Sequence, residues 1–254
     1  MMRVVKIGGR AQGDPGLAPA IASAWNQEPG SLCVVHGGGD GISTLQRALG
    51  LEPAFAGGRR VTGDGDIDAV RMALSGSANK LLVARLISAG VSAVGLSGED
   101  AALIAARAVD AATLGCVGAP ERIDARLLRH LLDGGYLPVL SPLSRDIDSI
   151  AGRALNVNGD DAASAIAVAL GASELLFVAD VPGVLVDGEV VPTLDAEAAD
   201  AKIEHGIATG GMAAKLQAAV SALDGGVGRV RIGGIEAILD PSLGTTLVPS
   251  RSFA

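Results

Sequence analysis

Six short apolar runs, rich in β-branched residues and closed by glycine or a turn, recur along the chain: Arg3–Ile7, Leu32–Val35, Val91–Leu96, Leu137–Leu140, Leu175–Ala179 and Arg229–Ile232. They are nearly continuous rather than alternating, so each strand they form must be covered on both faces. Between them the apolar residues take helical spacing, most clearly in Leu17–Asn26, Gly41–Leu49, Ile67–Leu74, Asn79–Ala89, Asp124–Leu132, Asp160–Leu170 and Met212–Leu223. Strand and helix in alternation, joined by right-handed crossovers, leave few topologies open. The expected fold class is α/β, a three-layer αβα sandwich with a mostly parallel central sheet. No linker, repeat or low-complexity tract interrupts the 254 residues. The chain 1–254 is therefore read as one domain, softly divided into 1–170 and 171–254. Asp187-Gly188 between two apolar triplets predicts a type I′ hairpin. Phe55–Val61 and Leu103–Val117 break the rhythm and read as small β excursions over one face.

Composition narrows the function classes. Apolar residues make up 49% of the chain, enough for a sizeable core, whereas aromatics are 2%, too few for base-stacking platforms. A formal net charge of −8 with no basic run excludes nucleic acid and acidic membrane as partners, but admits a small anion held by a few local lysines. Cys33 and Cys116 have neither metal nor disulfide spacing, so no metal site is expected. The most apolar stretch, Ala162 to Val181, is broken by Gly171, Glu174 and Asp180 and reads as a buried helix and strand, not a membrane span. No signal peptide is visible, since Lys6 and its glycines interrupt the early apolar run. A soluble, cytoplasmic protein is expected.

Ligands of parallel sheets bind beyond the carboxyl ends of the strands, and the unusual residues gather there. Lys6 stands inside the first strand, two places before Gly8-Gly9. His36-Gly37-Gly38-Gly39 follows the second, and its glycines admit close backbone approach to an anion at a helix start. Arg59 and Arg60 flank a glycine turn, and a guanidinium fork suits a carboxylate. Asn156-Val157-Asn158-Gly159-Asp160 opens one helix, and Gly210-Gly211-Met212-Ala213-Ala214-Lys215 opens another. Taken one at a time these have plain readings: an edge-strand lysine reaching solvent, a tight turn, a structural histidine at a strand end, Asp160 or Asp161 as a helix cap. Together, two lysines and an aspartate can hold a phosphoryl group in transit between two oxygens, without a Walker A loop.

The motifs Lys6-x-Gly8-Gly9, His36-Gly37-Gly38-Gly39, Gly58-Arg59-Arg60-Val61-Thr62, Gly76-x-x-Asn79-Lys80, Val94 to Asp100, Leu137 to Pro142, Asn156-x-Asn158-x-Asp160, Ala179 to Gly183 and Gly210-Gly211-Met212-x-x-Lys215 follow one another in an order that resembles the amino acid kinase superfamily over nearly the whole chain. The branch most similar is the one that phosphorylates N-acetyl-L-glutamate. The resemblance implies that Lys6 and Lys215 stabilise the transferring phosphoryl group and that Asp160 orients them. It implies that Gly38, Gly39, Arg60, Asn156 and Asn158 bind the acyl amino acid. Gly8, Gly9, Asp180, Val181, Pro182, Gly183, Val184, Leu185, Ile207, Ala208, Thr209 and Gly211 would surround ATP, with Mg²⁺ held chiefly by phosphates and water. The 1–170 lobe would then carry the acyl amino acid and the dimer contacts, and 171–254 the nucleotide. The implied reaction converts the γ-carboxylate to an acyl phosphate in arginine biosynthesis. A close rival acts on N-acetyl-aminoadipate or a carrier-linked amino acid in lysine biosynthesis, and a non-catalytic sensor is the rival of another class. Two positions depart from the pattern: Ala179 stands where a hydroxyl is common, and Gly159 where alanine is. With the first strand starting near Arg3, the resemblance implies an arginine-insensitive homodimer.

Overall fold

The computed structural model describes residues 1–249. Eight strands form the central sheet in the order Thr193–Asp195, Thr245–Val248, Arg229–Gly233, Glu174–Val178, Arg3–Ile7, Leu32–His36, Leu137–Ser141 and Ala93–Ser97. Every neighbouring pair is parallel except Arg229–Gly233 with Thr245–Val248. All six predicted strands are present, shifted by a residue or two at their ends. The short strands Thr193–Asp195 and Thr245–Val248 were not anticipated.

The sheet is covered on both faces, as the continuous apolar runs require. Val5, Ile7, Val34 and Val139 pack on one side against Leu17, Ile21 and Trp25 of the Leu17–Gln27 helix and Leu82 and Leu86 of the Asn79–Ser88 helix. Val4, Val35 and Phe177 pack on the other against Ile166 and Ala167 of Gly159–Leu170, and Leu216, Ala219 and Leu223 of Gly210–Asp224. Side chains alternate along a strand, so Lys6 projects to the same side as Val4. That is the side of the Gly159–Leu170 helix. Lys6 is not on an edge: its strand lies between Leu32–His36 and Glu174–Val178.

Three local features differ from the sequence reading. The segments expected as separate helices around Ile67–Leu74 and Asn79–Ala89 run on as Ile67–Arg71, a π-helical stretch Met72–Ala78, and Asn79–Ser88. The excursion at Leu103–Val117 belongs to a closed four-stranded barrel, Ala154–Val157, Val117–Ile123, Ile104–Ala108 and Leu143–Asp146. The helix expected to be capped by Asp160 begins at Gly159 and is capped by Asn158, whose side-chain oxygen accepts from the Asp160 N–H at 2.7 Å. Asp160 thus lies in the first turn, its carboxylate free for other work. The excursion at Phe55–Val61 is a small hairpin, Phe55–Ala56 with Arg59–Arg60. The predicted type I′ hairpin pairs Leu185–Val186 with Glu189–Val190, and its turn residues Asp187 and Gly188 take φ of 52° and 84°.

Candidate active site

Lys6, Asp160 and Lys215 meet at the carboxyl end of the sheet. Lys6 Nζ lies 2.7 Å from Asp160 Oδ1, and Lys215 Nζ 3.3 Å from Asp160 Oδ2. Each carboxylate oxygen therefore faces one ammonium group. Lys6 and Asp160 are buried, at 6% and 4% exposure, whereas Lys215 reaches in from the second turn of its helix. Burial lowers the pKa of Lys6; the adjacent Asp160 opposes this and the Lys215 charge adds to it, for a net fall below 10.5. Burial would raise the Asp160 carboxyl, but the two lysine charges together outweigh it and hold its pKa below the ordinary value. Gly159 has a local reason too: a Cβ there would stand 3.3 Å from Lys6 Cε, so its glycine eases the lysine's path to Asp160.

A cleft of about 250 Å³ opens beside this cluster, lined by Lys6, Gly9, the Gly37–Gly39 loop, Arg60, Asn156, Asn158 and Asp160. Every residue assigned to acyl amino acid binding is here. Arg60 is buried, stacked 4.7 Å from the Phe55 ring centroid, and donates to Gln46 Oε1, Gly39 O and Ser43 Oγ. Those bonds fix the guanidinium plane and leave an Nη1 hydrogen and the Nε hydrogen for a ligand. Asn156 Nδ2 donates to Thr62 Oγ1 at 3.0 Å. The Asn158 carboxamide oxygen is used as the helix cap, so that atom serves the fold.

The residues expected around a nucleotide divide into two kinds. Gly8 closes the first strand by donating to Val178 O, and Gly183 gives the chain room to pass Thr245, since a Cβ there would lie 2.8 Å from Thr245 Oγ1. The side chains of Val184 and Ala208 are buried, so any ligand contact from them must come from backbone. Leu185 and Ile207 are exposed, and Thr209 and Gly211 lie at the start of the helix that carries Lys215. Asp180 forms an ion pair with Arg10 at 2.7 Å, which bridges the glycine turn after the first strand and the turn after Glu174–Val178. Neither Arg10 nor the Arg59–Asp161 pair at 3.1 Å entered the sequence reading. Both join residues more than a hundred positions apart, and a single sequence carries no signal for such a pairing. His36 behaves as the structural histidine that was expected: fully buried, its pKa pushed down to about 4 chiefly by burial, and therefore neutral.

A glycine-turned parallel sheet with an acid clamped between two lysines defines a phosphotransferase-like site, and residues 1–234 match the amino acid kinase family. The chain belongs to that family. The acetylglutamate kinase of Geobacillus kaustophilus (strain HTA426) is 42% identical over 232 residues, which cover 90% of this chain and 88% of that protein. The acetylglutamate kinase of Roseiflexus sp. (strain RS-1) is 41% identical over 250 residues, 98% of this chain and 94% of that one. Among solved structures, smu.665 from Streptococcus mutans UA159 aligns with a TM-score of 0.88 at 32% identity, covering 97% of this chain and 98% of its own. Carbamate kinase from Giardia lamblia bound to AMP-PNP, at 16% identity over 98% of each chain, has a TM-score of 0.74 and shares the fold.

Proposed function

We infer that this chain transfers the γ-phosphoryl group of ATP to the γ-carboxylate of N-acetyl-L-glutamate, giving the acyl phosphate and ADP. The observation that carries the reading is the Lys6–Asp160–Lys215 cluster beside the glycine-lined cleft. The relatives named acetylglutamate kinase at 41–42% identity support the choice of acceptor. No general base is needed, because a free carboxylate with an ordinary pKa of about 4.3 is already ionised at neutral pH. The obstacle is the approach of two anions. Lys6 and Lys215 place positive charge where negative charge accumulates as the phosphoryl group leaves one oxygen for another, and burial of Lys6 strengthens its share. Asp160 holds both ammonium groups in place without neutralising both. The N–H groups of the Gly37–Gly39 loop and the Arg60 guanidinium would receive the acyl amino acid, its α-carboxylate on the arginine. The residues 180–185 and 207–211 would hold the nucleotide.

Among the described residues no three His, Cys, Asp or Glu side chains gather as a metal site. The donor set fits Mg²⁺ carried on the nucleotide phosphates and completed by water, where it would neutralise phosphate charge. The test is hydroxamate formation with ATP, Mg²⁺ and hydroxylamine. N-acetyl-L-glutamate is expected to give product and N-acetyl-L-aminoadipate little. Product from the longer acid alone would transfer the same chemistry to the lysine pathway, and product from neither would point to a carrier-linked substrate or a non-catalytic protein.

A homodimer is the assembly proposed. The strand Ala93–Ser97 ends the sheet, and Leu81 and Ile87 of the neighbouring Asn79–Ser88 helix are exposed in the single chain. Sedimentation velocity is expected to give twice the 25.2 kDa chain mass; a monomer at micromolar concentration would overturn this.

A further inference from the structure

His36, Asn79 and Gly95 come from three separate motifs, and none of them touches the acceptor chemistry described above. In the fold they form one buried network. His36 Nδ1 lies 2.8 Å from Gly37 O, an atom that can only accept. The proton must therefore sit on Nδ1, which leaves Nε2 as an acceptor. Asn79 Nδ2 donates one hydrogen to it at 3.0 Å, and its second hydrogen goes to Val139 O at 2.9 Å. One tautomer and one amide orientation satisfy all three bonds. Both side chains are fully buried.

Two glycines make the arrangement possible. A Cβ on Gly95 would stand 2.0 Å from Asn79 Oδ1, so Gly95 creates the space that the carboxamide occupies. A Cβ on Gly38 would stand 2.7 Å from Leu74 Cδ2, so the π-helical stretch presses directly on the loop. The π turn also sets the angle at which Asn79, the first residue after it, meets His36; such turns are rare and concentrate at functional sites. The Gly37–Gly39 loop is thus held from behind: by His36 through the Gly37 carbonyl, by Gln12 Nε2 on the same carbonyl, and by Leu74 against Gly38. Three consecutive glycines have little conformational preference of their own, and a loop that must present N–H groups to a ligand needs an external support.

We propose that His36 and Asn79 are positioning residues, a buried pair seated under Gly95 that fixes the Gly37–Gly39 loop in the shape that receives the acyl amino acid. This rests on the assignment of that loop to the acceptor in the preceding section. The network's hydrogen bonds run to Gly37, Val139 and Leu96 rather than to residues 180–185 or 207–211, although Gly9, assigned to the nucleotide, lies against the loop.

The test compares Asn79→Ala, Gly95→Ala and the double variant in the hydroxamate assay, with thermal melts to establish folding. Each single change is expected to raise KM for N-acetyl-L-glutamate about tenfold, the equivalent of losing one buried hydrogen bond. KM for ATP should stay within about twofold, and the double variant should be no worse than the poorer single one, as for residues of one network. Equal rises in both KM values, no rise in either, or additive effects would overturn the proposal. If the variants do not fold, the wild-type enzyme decides. Its His36 ring nitrogens should show the Nδ1–H tautomer by NMR and shift on adding N-acetyl-L-glutamate; a ring indifferent to that ligand counts against the pair. If the wild type makes no hydroxamate at all, the acetylglutamate reading fails separately. The positioning role is then judged from the Gly37–Gly39 amide resonances of Asn79→Ala, which it requires to move.

Discussion

Lys6→Ala and Lys215→Ala are each expected to lower kcat by about 10²–10³-fold while leaving a folded protein, the scale set by losing one preorganised donor to developing negative charge. The two should differ in other respects. Lys6 is buried on a central strand and paired at 2.7 Å, so its removal leaves Asp160 with Lys215 alone, at 3.3 Å on a partly open helix. The Lys215 side chain is less buried, at 14% exposure against 7% for Lys6, so its truncation disturbs packing less. The Lys6 variant should therefore lose more thermal stability than the Lys215 variant, while both lose rate. Lys6→Arg should not restore turnover: a planar fork cannot replace a point charge in the space beside Gly159, where a single added Cβ would already come within 3.3 Å of Lys6 Cε. Both KM values should change less than kcat, because the charge on the transferring group is greatest in the transition state. The check is steady-state kinetics in the coupled ADP assay at saturating substrates. Turnover within tenfold of wild type in either alanine variant would remove that lysine from the catalytic assignment.

The position of these lysines was legible because the fold rhythm was legible. Lys6 interrupts an apolar strand two residues before a glycine pair, and charge inside such a run has to be explained by what lies at the strand's end. The βα alternation then placed the glycine motifs on one edge of the sheet, as found. What escaped was pairing across distance. Asp160 was readable as a helix cap with equal ease, and only the fold shows that Asn158 does the capping and frees the carboxylate. The small barrel was seen only as an excursion because its strands, such as Ile104–Ala108 and Val117–Ile123, mix alanine, glycine, proline and arginine and show neither alternation nor a continuous apolar run. The stretch Met72–Ala78 holds Ser75-Gly76-Ser77, which reads as a break between helices; the π turn carries the chain through instead. Likewise the link from His36 to Asn79 to Gly95 follows from packing of Asn79–Ser88 on the sheet, which no local pattern encodes.

Asp160→Asn keeps the shape of the clamp and removes its charge, and it is expected to be the most informative change in the protein. In the wild type the carboxylate opposes two influences that depress Lys6, burial and the Lys215 ammonium. With the charge gone both remain, so the Lys6 pKa must fall further. Activity requires the charged form of Lys6 and disappears as pH rises through its pKa. The alkaline limb of kcat/KM, which reports the free enzyme, should therefore move to lower pH in Asp160→Asn. Removing one partner of a buried ion pair costs about 3–5 kcal/mol when the other stays charged. Here the remaining lysine can shed its proton, so the penalty depends on pH. The unfolded chain binds a proton that folded Lys6 has lost wherever the pH lies between the depressed folded pKa and 10.5; stability therefore rises with pH across that window. The melting temperature of Asp160→Asn relative to wild type should accordingly recover as the pH rises toward 10.5, while its kcat/KM relative to wild type declines. Opposite trends in stability and rate from one substitution are what a charge-holding acid predicts. An acid acting as a general base predicts something else: a rate loss independent of pH on the alkaline side, with no recovery of stability. Parallel pH profiles for the variant and the wild type would therefore reassign Asp160, and with it the reason for placing a carboxylate between two lysines.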